Sequence, residues 1–254
     1  MPRTARVRSR TGIYHLMLRG INRQTIFEDN EDAQKFLYTL EDVKNTSGFE
    51  IYAYCLMTNH IHLLVKEGQE DFGQSMRRIG AKYVYWYNMK YERTGHLFQD
   101  RFKSEVVENE EYLLSALRYI HQNPVTAGMV KDPVQYPWSS YSSYLNTNNL
   151  IDADFILEHL STDKNKARDA YVKFHKEYYN HTFLDMEDDK KRLSDDDAKS
   201  IIINMCNVES TRDLQGFDKR KRDHHLVELS NSGISDRQIS RLTGISRAVI
   251  RKAK

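Results

Sequence analysis

Two histidines one residue apart, His60 and His62 in "MTNHIHLLV" (57–65), open an apolar run where a strand would normally bury aliphatic side chains. Alternate residues of an extended chain share a face, so Ile61, Leu63 and Val65 fall together and His60, His62 and Leu64 fall opposite. Two imidazoles about 7 Å apart along a strand can reach one cation, which makes the pair a candidate metal site. A half-buried strand with a polar face would show the same pattern, so a third donor has to decide. "LRYIHQNP" (117–124) offers one: Tyr119 and Asn123 stand four residues apart and share a helical face near Pro124. A cation held by His60, His62 and Asn123 would sit beside the Tyr119 hydroxyl. A nucleophile attacking a metal-polarised phosphate needs that arrangement. By softness, imidazole ligands suit zinc or manganese.

The elements that must position these side chains follow from periodicity. Strands are expected at 13–20, 50–57 and through the histidine stretch, with a strand or bulged pair at 96–107. Helices are expected at 32–48 with Phe36, Leu37 and Leu40 inward, and at 70–91 with Phe72, Met76, Ile79, Tyr83 and Tyr87 on the buried face. A third helix spans 109–123, capped by Asn109 or Glu108 and stopped by Pro124. The order predicts an α+β, ferredoxin-like (split βαβ) antiparallel sheet with helices on one face and the other face open. The histidines project from the open face. Tyr52 and Tyr54 are expected to join them there, with His15 and Arg19 from the first strand, and open sheets of this kind stack the bases of single-stranded nucleic acid on aromatics. On and after the second helix, Arg77, Arg78, Lys82, Lys90 and Arg93 interleave with Tyr83, Tyr85, Trp86 and Tyr87, a track for a DNA strand or hairpin; an ordinary amphipathic helix reads the same way.

Composition bounds the rest. At 254 residues, 39% hydrophobic and 29% charged, the chain can bury one good core and a smaller second one. Its two cysteines, Cys55 and Cys206, are far apart, which argues against a disulfide framework or a cysteine zinc site and fits a reducing cytoplasm. No run of about eighteen apolar residues and no secretory signal occurs, so a soluble, cytoplasmic, nucleoid-associated protein without a membrane partner is expected. Residues 1–145 carry 18 basic and 17 acidic side chains, residues 146–200 carry 9 and 13, and residues 201–254 carry 11 and 6. These shifts divide the chain into a catalytic domain at 1–145, a helical connecting region at 146–200 and a basic domain at 201–254. The connecting region has apolar residues at helical spacing, Phe155, Ile156, Leu160, Tyr171, Phe174 and Tyr178, and ends in an acidic run (185–199) read as solvated surface.

The basic tail carries its own pattern. Residues 223–254 read as three short helices with Ser235 and Ser246 as N-caps and Gly244 in the tight turn between the last two. Leu226, Leu229, Ile239, Leu242, Val249 and Ile250 point inward. This is the pattern of a helix-turn-helix, in which the last helix would present Arg247, Arg251 and Lys252 to the major groove of duplex DNA.

The blocks "MTNHIHLLV", "RTGHLFQDRFKSEVV" and "YLLSALRYIHQNPVTAGMV", followed by "YPWSSY" and preceded by "YHLMLRGINRQTIF", resemble the single-tyrosine HUH transposases, in the branch of REP-associated tyrosine transposases. The resemblance covers roughly residues 5–145, with several separate blocks in the right order. It implies that His60 and His62 are metal ligands, that Asn123 completes the set, and that Tyr119 forms a 5'-phosphotyrosine with DNA. It also implies magnesium or manganese, so manganese satisfies both arguments. Two positions depart from the family: Thr58 stands where proline is usual, and His121 where an acidic residue is common. The expected function is a DNA transposase and endonuclease that cleaves and rejoins single-stranded or hairpin DNA of a palindromic element. Duplex DNA would bind through the C-terminal domain, and a homodimer is among the expected assemblies. The competing reading is a catalytically silent, sequence-specific DNA-binding regulator.

Overall fold

Residues 50–66 fold back on themselves as a hairpin, β2 (Glu50–Met57) and β3 (His60–Lys66), joined across Thr58 and Asn59. The structure is a computed structural model and describes residues 6–146, 149–177, 183 and 195–253. β1 (Ile13–Arg19) pairs antiparallel with β3 on one side and with β4 (Lys103–Val106) on the other, giving the order β2-β3-β1-β4. α1 (Asn30–Ser47) connects β1 to β2, α2 (Phe72–Lys90) connects β3 to β4, and α3 (Glu110–Thr126) follows. This is the ferredoxin-like sheet that the element order predicted.

Cross-strand partners share a face, so the register sorts the side chains. Leu16 lies opposite Leu63 and Leu18 opposite Ile61, while Tyr54 and Leu56 of β2 lie opposite the same two residues. Ile61, Leu63 and Val65 are fully buried. Each such aliphatic side chain removed from water contributes roughly 1.5–3 kcal/mol to folding. The buried sides of α1 (Phe36, Leu40) and α2 (Ile79, Tyr83), packed on each other, complete that layer. α1 begins with a capping box between Asp29 and Asp32 and closes at Gly48, whose φ of +68° is the left-handed conformation that glycine adopts without strain. Lys90 and Tyr91, at the end of α2, reach back to Asp32, pinning the two helices together.

The opposite face carries His60, His62, Met17, Arg19, Cys55 and Met57. Tyr52 and Tyr54 were expected among them, and the register corrects this. Tyr54 opposes Leu63, a bulge between Ile51 and Ala53 breaks the alternation, and the Tyr52 ring stacks on Phe155 at 4.7 Å. Nor is this face open, because α3 packs across β2 and β3. Two boundaries also move. The strand expected over 96–107 shrinks to 103–106, with a single bridge from Gly20 to Phe98 upstream of it. α3, capped by Asn109, runs past Pro124 to Thr126. Proline removes one N–H but does not stop a helix whose next bond, Ala127 N–H to the Asn123 carbonyl, still forms at 2.9 Å.

The chain falls into two compact units, 1–184 and 185–254. The stretch expected as a connector, 146–200, is shared between them. α4 (Ala153–Leu160) and α5 (Lys164–Lys176) belong to the first unit, with Ile156 and Tyr171 in its core. Tyr178 and residues 185–194 of the acidic run lie outside the described residues.

α5 is tied to α3 through a buried polar cluster. His121 Nδ1 lies 3.0 Å from His175 Nε2 and 3.0 Å from the Tyr171 hydroxyl, while His121 Nε2 lies 2.8 Å from Ser140 Oγ. His175 Nδ1–H donates to the Tyr171 carbonyl at 2.9 Å. Burial and the neighbouring His175 hold His121 well below the usual imidazole range, and burial, aided by Arg118, lowers His175 to about 4. Both imidazoles are therefore neutral in the folded unit and would take up protons once unfolded, near pH 6.5. Between pH 6.5 and 4 the unfolded chain binds more protons, so stability falls as pH falls. His175 alone should cost about 2–3 kcal/mol between pH 7 and 4.5, with His121 acting in the same direction. Urea unfolding followed by Trp86 and Trp138 fluorescence checks this: His175→Gln should lower stability at pH 7 yet flatten the acid dependence. An unchanged slope would remove the cluster from the explanation.

The second unit contains α6 (Asp195–Cys206), a 3-10 turn at 211–216, α7 (Lys219–Asn231), α8 (Asp236–Thr243) and α9 (Arg247–Ala253). Its separate core gathers Ile202, Leu214, Leu226, Leu229, Ile239 and Ile250, with Leu242 and Val249 partly buried against it. Ser235 caps α8, Ser246 Oγ accepts from Val249 N–H, and Gly244 closes α8 at φ +76°. No helix among the described residues is long and apolar enough to cross a membrane.

Candidate active site on the histidine face of the sheet

His62 is fully buried at the centre of the sheet, and α3 crosses above it. The i, i+4 spacing on α3 turns Tyr119 and Asn123 the same way. The Asn123 amide lies 3.4 Å from His62 Nε2, and the Tyr119 ring stands edge-on to His62 with centroids 5.6 Å apart. His60, one pleat further along β3, has its ring centroid 5.0 Å from that of His62. The four residues singled out in the sequence thus meet in one place.

Among the described residues, no three His, Cys, Asp or Glu side chains converge to hold a metal ion. A cation held here would draw on the two imidazoles and the amide of Asn123, and the local bonding suits that donor set. His60 Nδ1 lies 2.7 Å from Asn59 Oδ1, and the Asn59 amide nitrogen donates to the Arg23 carbonyl at 3.3 Å. Asn59 therefore presents oxygen to His60, the His60 proton sits on Nδ1, and Nε2 keeps its lone pair. Turning the Asn123 amide about its axis offers Oδ1 in place of nitrogen. Two imidazole nitrogens and an amide oxygen form a mixed set suited to manganese and, with added waters, magnesium.

Several residues of this face escaped sequence reasoning. Phe183, distant in sequence, stacks on the Tyr119 ring at 4.2 Å and is buried. Glu105 of β4 lies opposite His15 and accepts a hydrogen bond from the Tyr112 hydroxyl, which burial and that carboxylate raise above the usual phenol range. Lys103, opposite Met17, joins Arg19 as a cation on the histidine side. Strand parity would have grouped Glu105 with Lys103, but only the β1–β4 register shows which β1 residues they meet.

The basic track on α2 takes a different position. α2 belongs to the helix layer on the aliphatic side of the sheet, away from His62 and Tyr119. Arg78 is bound to Glu70 and Ser47, and Lys82 to Asp42 at 2.6 Å. Lys90 is held by Asp29, Glu31 and Asp32, while Arg93 bonds Gln24 and lies over Tyr87. Arg77 is exposed. In the second unit Arg247, Arg251 and Lys252 are exposed along α9, with Arg251 4.0 Å from Asp236. His121, whose side chain joins the cluster with Ser140 and His175, takes no part in the histidine face.

Comparison with known proteins places these observations. Residues 9–123 match the family described as "Transposase IS200 like". The chain is similar to a REP-associated tyrosine transposase of Escherichia coli (strain K12), 27% identical over 110 residues, which cover 42% of this chain and 64% of that protein. A Haemophilus influenzae relative is 29% identical over 105 residues, covering 37% of this chain and 59% of its own. The matches thus span less than two thirds of either relative. Among solved structures, a REP-associated tyrosine transposase bound to a REP hairpin superposes with a TM-score of 0.51 at 23% identity, covering 58% of this chain and 87% of that one, a likeness of fold.

Proposed function

We propose, from the match of residues 9–123 to the family described as "Transposase IS200 like", that the protein cleaves and rejoins single-stranded or hairpin DNA through a covalent Tyr119 intermediate. The observation that carries this reading is the convergence of Tyr119 and Asn123, one helical turn apart on α3, on His62 of the same chain. In this scheme the Tyr119 oxygen loses its proton and attacks the scissile phosphorus in line. The bond from phosphorus to the 3'-oxygen breaks, that oxygen leaves with a proton, and a 5'-phosphotyrosine remains. Attack by another 3'-hydroxyl reverses the step and joins a new strand. A divalent cation held by His60, His62 and Asn123, manganese or magnesium, would supply charge neutralisation on the phosphate. His62 and Asn123 orient the site, Arg19 and Lys103 supply positive charge where the strand enters, and Phe183 fixes the plane of the nucleophile's ring. Because Tyr119 and His62 lie together within one chain, the scheme needs no second subunit to complete the site.

Incubating the full-length protein with single-stranded hairpin DNA and manganese tests the reading. A DNA–protein adduct that survives boiling in detergent is expected. Hairpin binding with no adduct under manganese or magnesium would favour the silent regulator.

In the second unit, α8 and α9 across Gly244 serve as a helix-turn-helix for duplex DNA flanking the hairpin, with Arg247, Arg251 and Lys252 on the groove-facing helix. Replacing all three with alanine should leave cleavage of a bare hairpin unchanged. Binding to a hairpin with a duplex flank should weaken at least tenfold, and the slope of log K against log salt should fall by about one for each phosphate that is no longer neutralised. Equal affinity and salt slope for flanked and bare DNA in wild type and variant would remove this role from α9.

A further inference from the structure

Both imidazoles of the site are backed at Nδ1, but by different means. His60 rests on Asn59. His62 Nδ1 lies 3.0 Å from Nε2 of His15, a fully buried residue of β1. His15 Nδ1 in turn lies 3.4 Å from Glu105 Oε2, an ion-pair contact that falls short of hydrogen-bond geometry, and this buried nitrogen has no hydrogen-bond partner among the described residues. The same Glu105 oxygen accepts from the Tyr112 hydroxyl of α3. Glu105 is opposite His15 in the β1–β4 register, so this contact is built into the sheet. Tyr112, Glu105, His15 and His62 thus form one line of polar groups crossing from α3 through β4 and β1 to β3.

The direction of the hydrogen bonds along that line is set at its carboxylate end. An ionised carboxylate only accepts, so the proton facing it sits on His15 Nδ1. A neutral His15 then has a bare Nε2, which can only accept, and the proton between the two rings belongs to His62 Nδ1. That leaves the lone pair of His62 on Nε2, the nitrogen that faces Asn123. We propose that His15 and Glu105 are positioning residues that fix His62 in the tautomer able to ligate a cation through Nε2, with Tyr112 anchoring the carboxylate. The proposal rests on the reading of His62 as a metal ligand. It extends by one ring the way ligating histidines are commonly oriented by a carboxylate on their second nitrogen. It also gives Tyr112, the other tyrosine of this helix face, a structural task in place of a nucleophilic one. Without the carboxylate, imidazole reverts to its ordinary preference for the proton on Nε2, and that proton blocks the ligating nitrogen.

Glu105 is 29% exposed and its replacement by glutamine preserves shape, so Glu105→Gln carries the test, with His15→Phe as a second variant. Two readouts on the full-length protein avoid reliance on turnover: manganese binding followed by electron paramagnetic resonance of the free ion, and the protonation pattern of the His62 ring nitrogens by nitrogen-15 NMR of the metal-free protein. Wild type should show a bare Nε2 on His62. Glu105→Gln should shift the proton toward Nε2 and weaken manganese binding about tenfold, and His15→Phe should weaken it about 10- to 100-fold. His62→Ala separates the two ideas. If it abolishes manganese binding while folded Glu105→Gln binds within twofold of wild type with an unchanged nitrogen-15 pattern, the positioning role is wrong and the metal reading stands. If His62→Ala binds manganese like wild type, the metal reading fails and the positioning role fails with it.

Discussion

Tyr119→Phe should reduce formation of the covalent DNA adduct by at least about 10⁴-fold while leaving hairpin affinity within about threefold. Only one oxygen is removed. The Tyr119 ring is buried, stacked on Phe183 and edge-on to His62 and His15, and phenylalanine keeps all of those contacts. The variant should therefore fold as the wild type does, and a loss of chemistry cannot be attributed to a collapsed site. Denaturing gels of a 5'-labelled hairpin strand measure the adduct, and fluorescence anisotropy measures affinity. Adduct formation at the wild-type rate would move the nucleophile elsewhere. Tyr112 is then the weaker substitute, because its hydroxyl is committed to Glu105 and is raised by burial above the usual phenol range.

His62→Ala should be nearly as damaging, lowering adduct formation by about 10³-fold or more, and high concentrations of manganese should not restore it. His62 is the member of the cluster that meets all the others, with His15 behind it, Asn123 in front and the rings of His60 and Tyr119 on either side. The substitution also opens a cavity and strands the buried His15, so a stability loss of about 2–4 kcal/mol is expected alongside the catalytic one. Chelation separates the two effects. Treating wild type with EDTA should abolish the adduct without lowering stability to the level of the variant, and added manganese should restore it. Full activity in EDTA would exclude a metal-dependent step.

What could be read from the linear chain was whatever depends on neighbours a few residues away. The alternation of "HIHLLV" assigned His60 and His62 to one face and Ile61, Leu63 and Val65 to the other, and the pairing register agrees. The four-residue spacing of Tyr119 and Asn123, the Asn109 cap of α3 and the Ser235 and Gly244 signals around α8 were legible for the same reason. So was the order of strands and helices, which leaves few topologies for one sheet.

Tertiary structure decided what depends on pairing between distant segments. Composition cannot say which residue of β4 meets His15, because sliding the pair by one residue would exchange Glu105 for a neighbour on the other face. The same sensitivity sent Tyr54 to the aliphatic face. The cations of α2 looked available as a linear charge pattern, yet Arg78 and Lys82 are bound to Glu70 and Asp42, the latter a residue of α1. Pro124 reads as a stop, but packing of α3 on the sheet outweighs the one backbone bond it forfeits and carries the helix to Thr126. His121 and Phe183 show the limit most plainly. One is joined to His175 and Tyr171 of α5, the other lies on Tyr119, and each contact spans a chain separation over which no periodic signal survives.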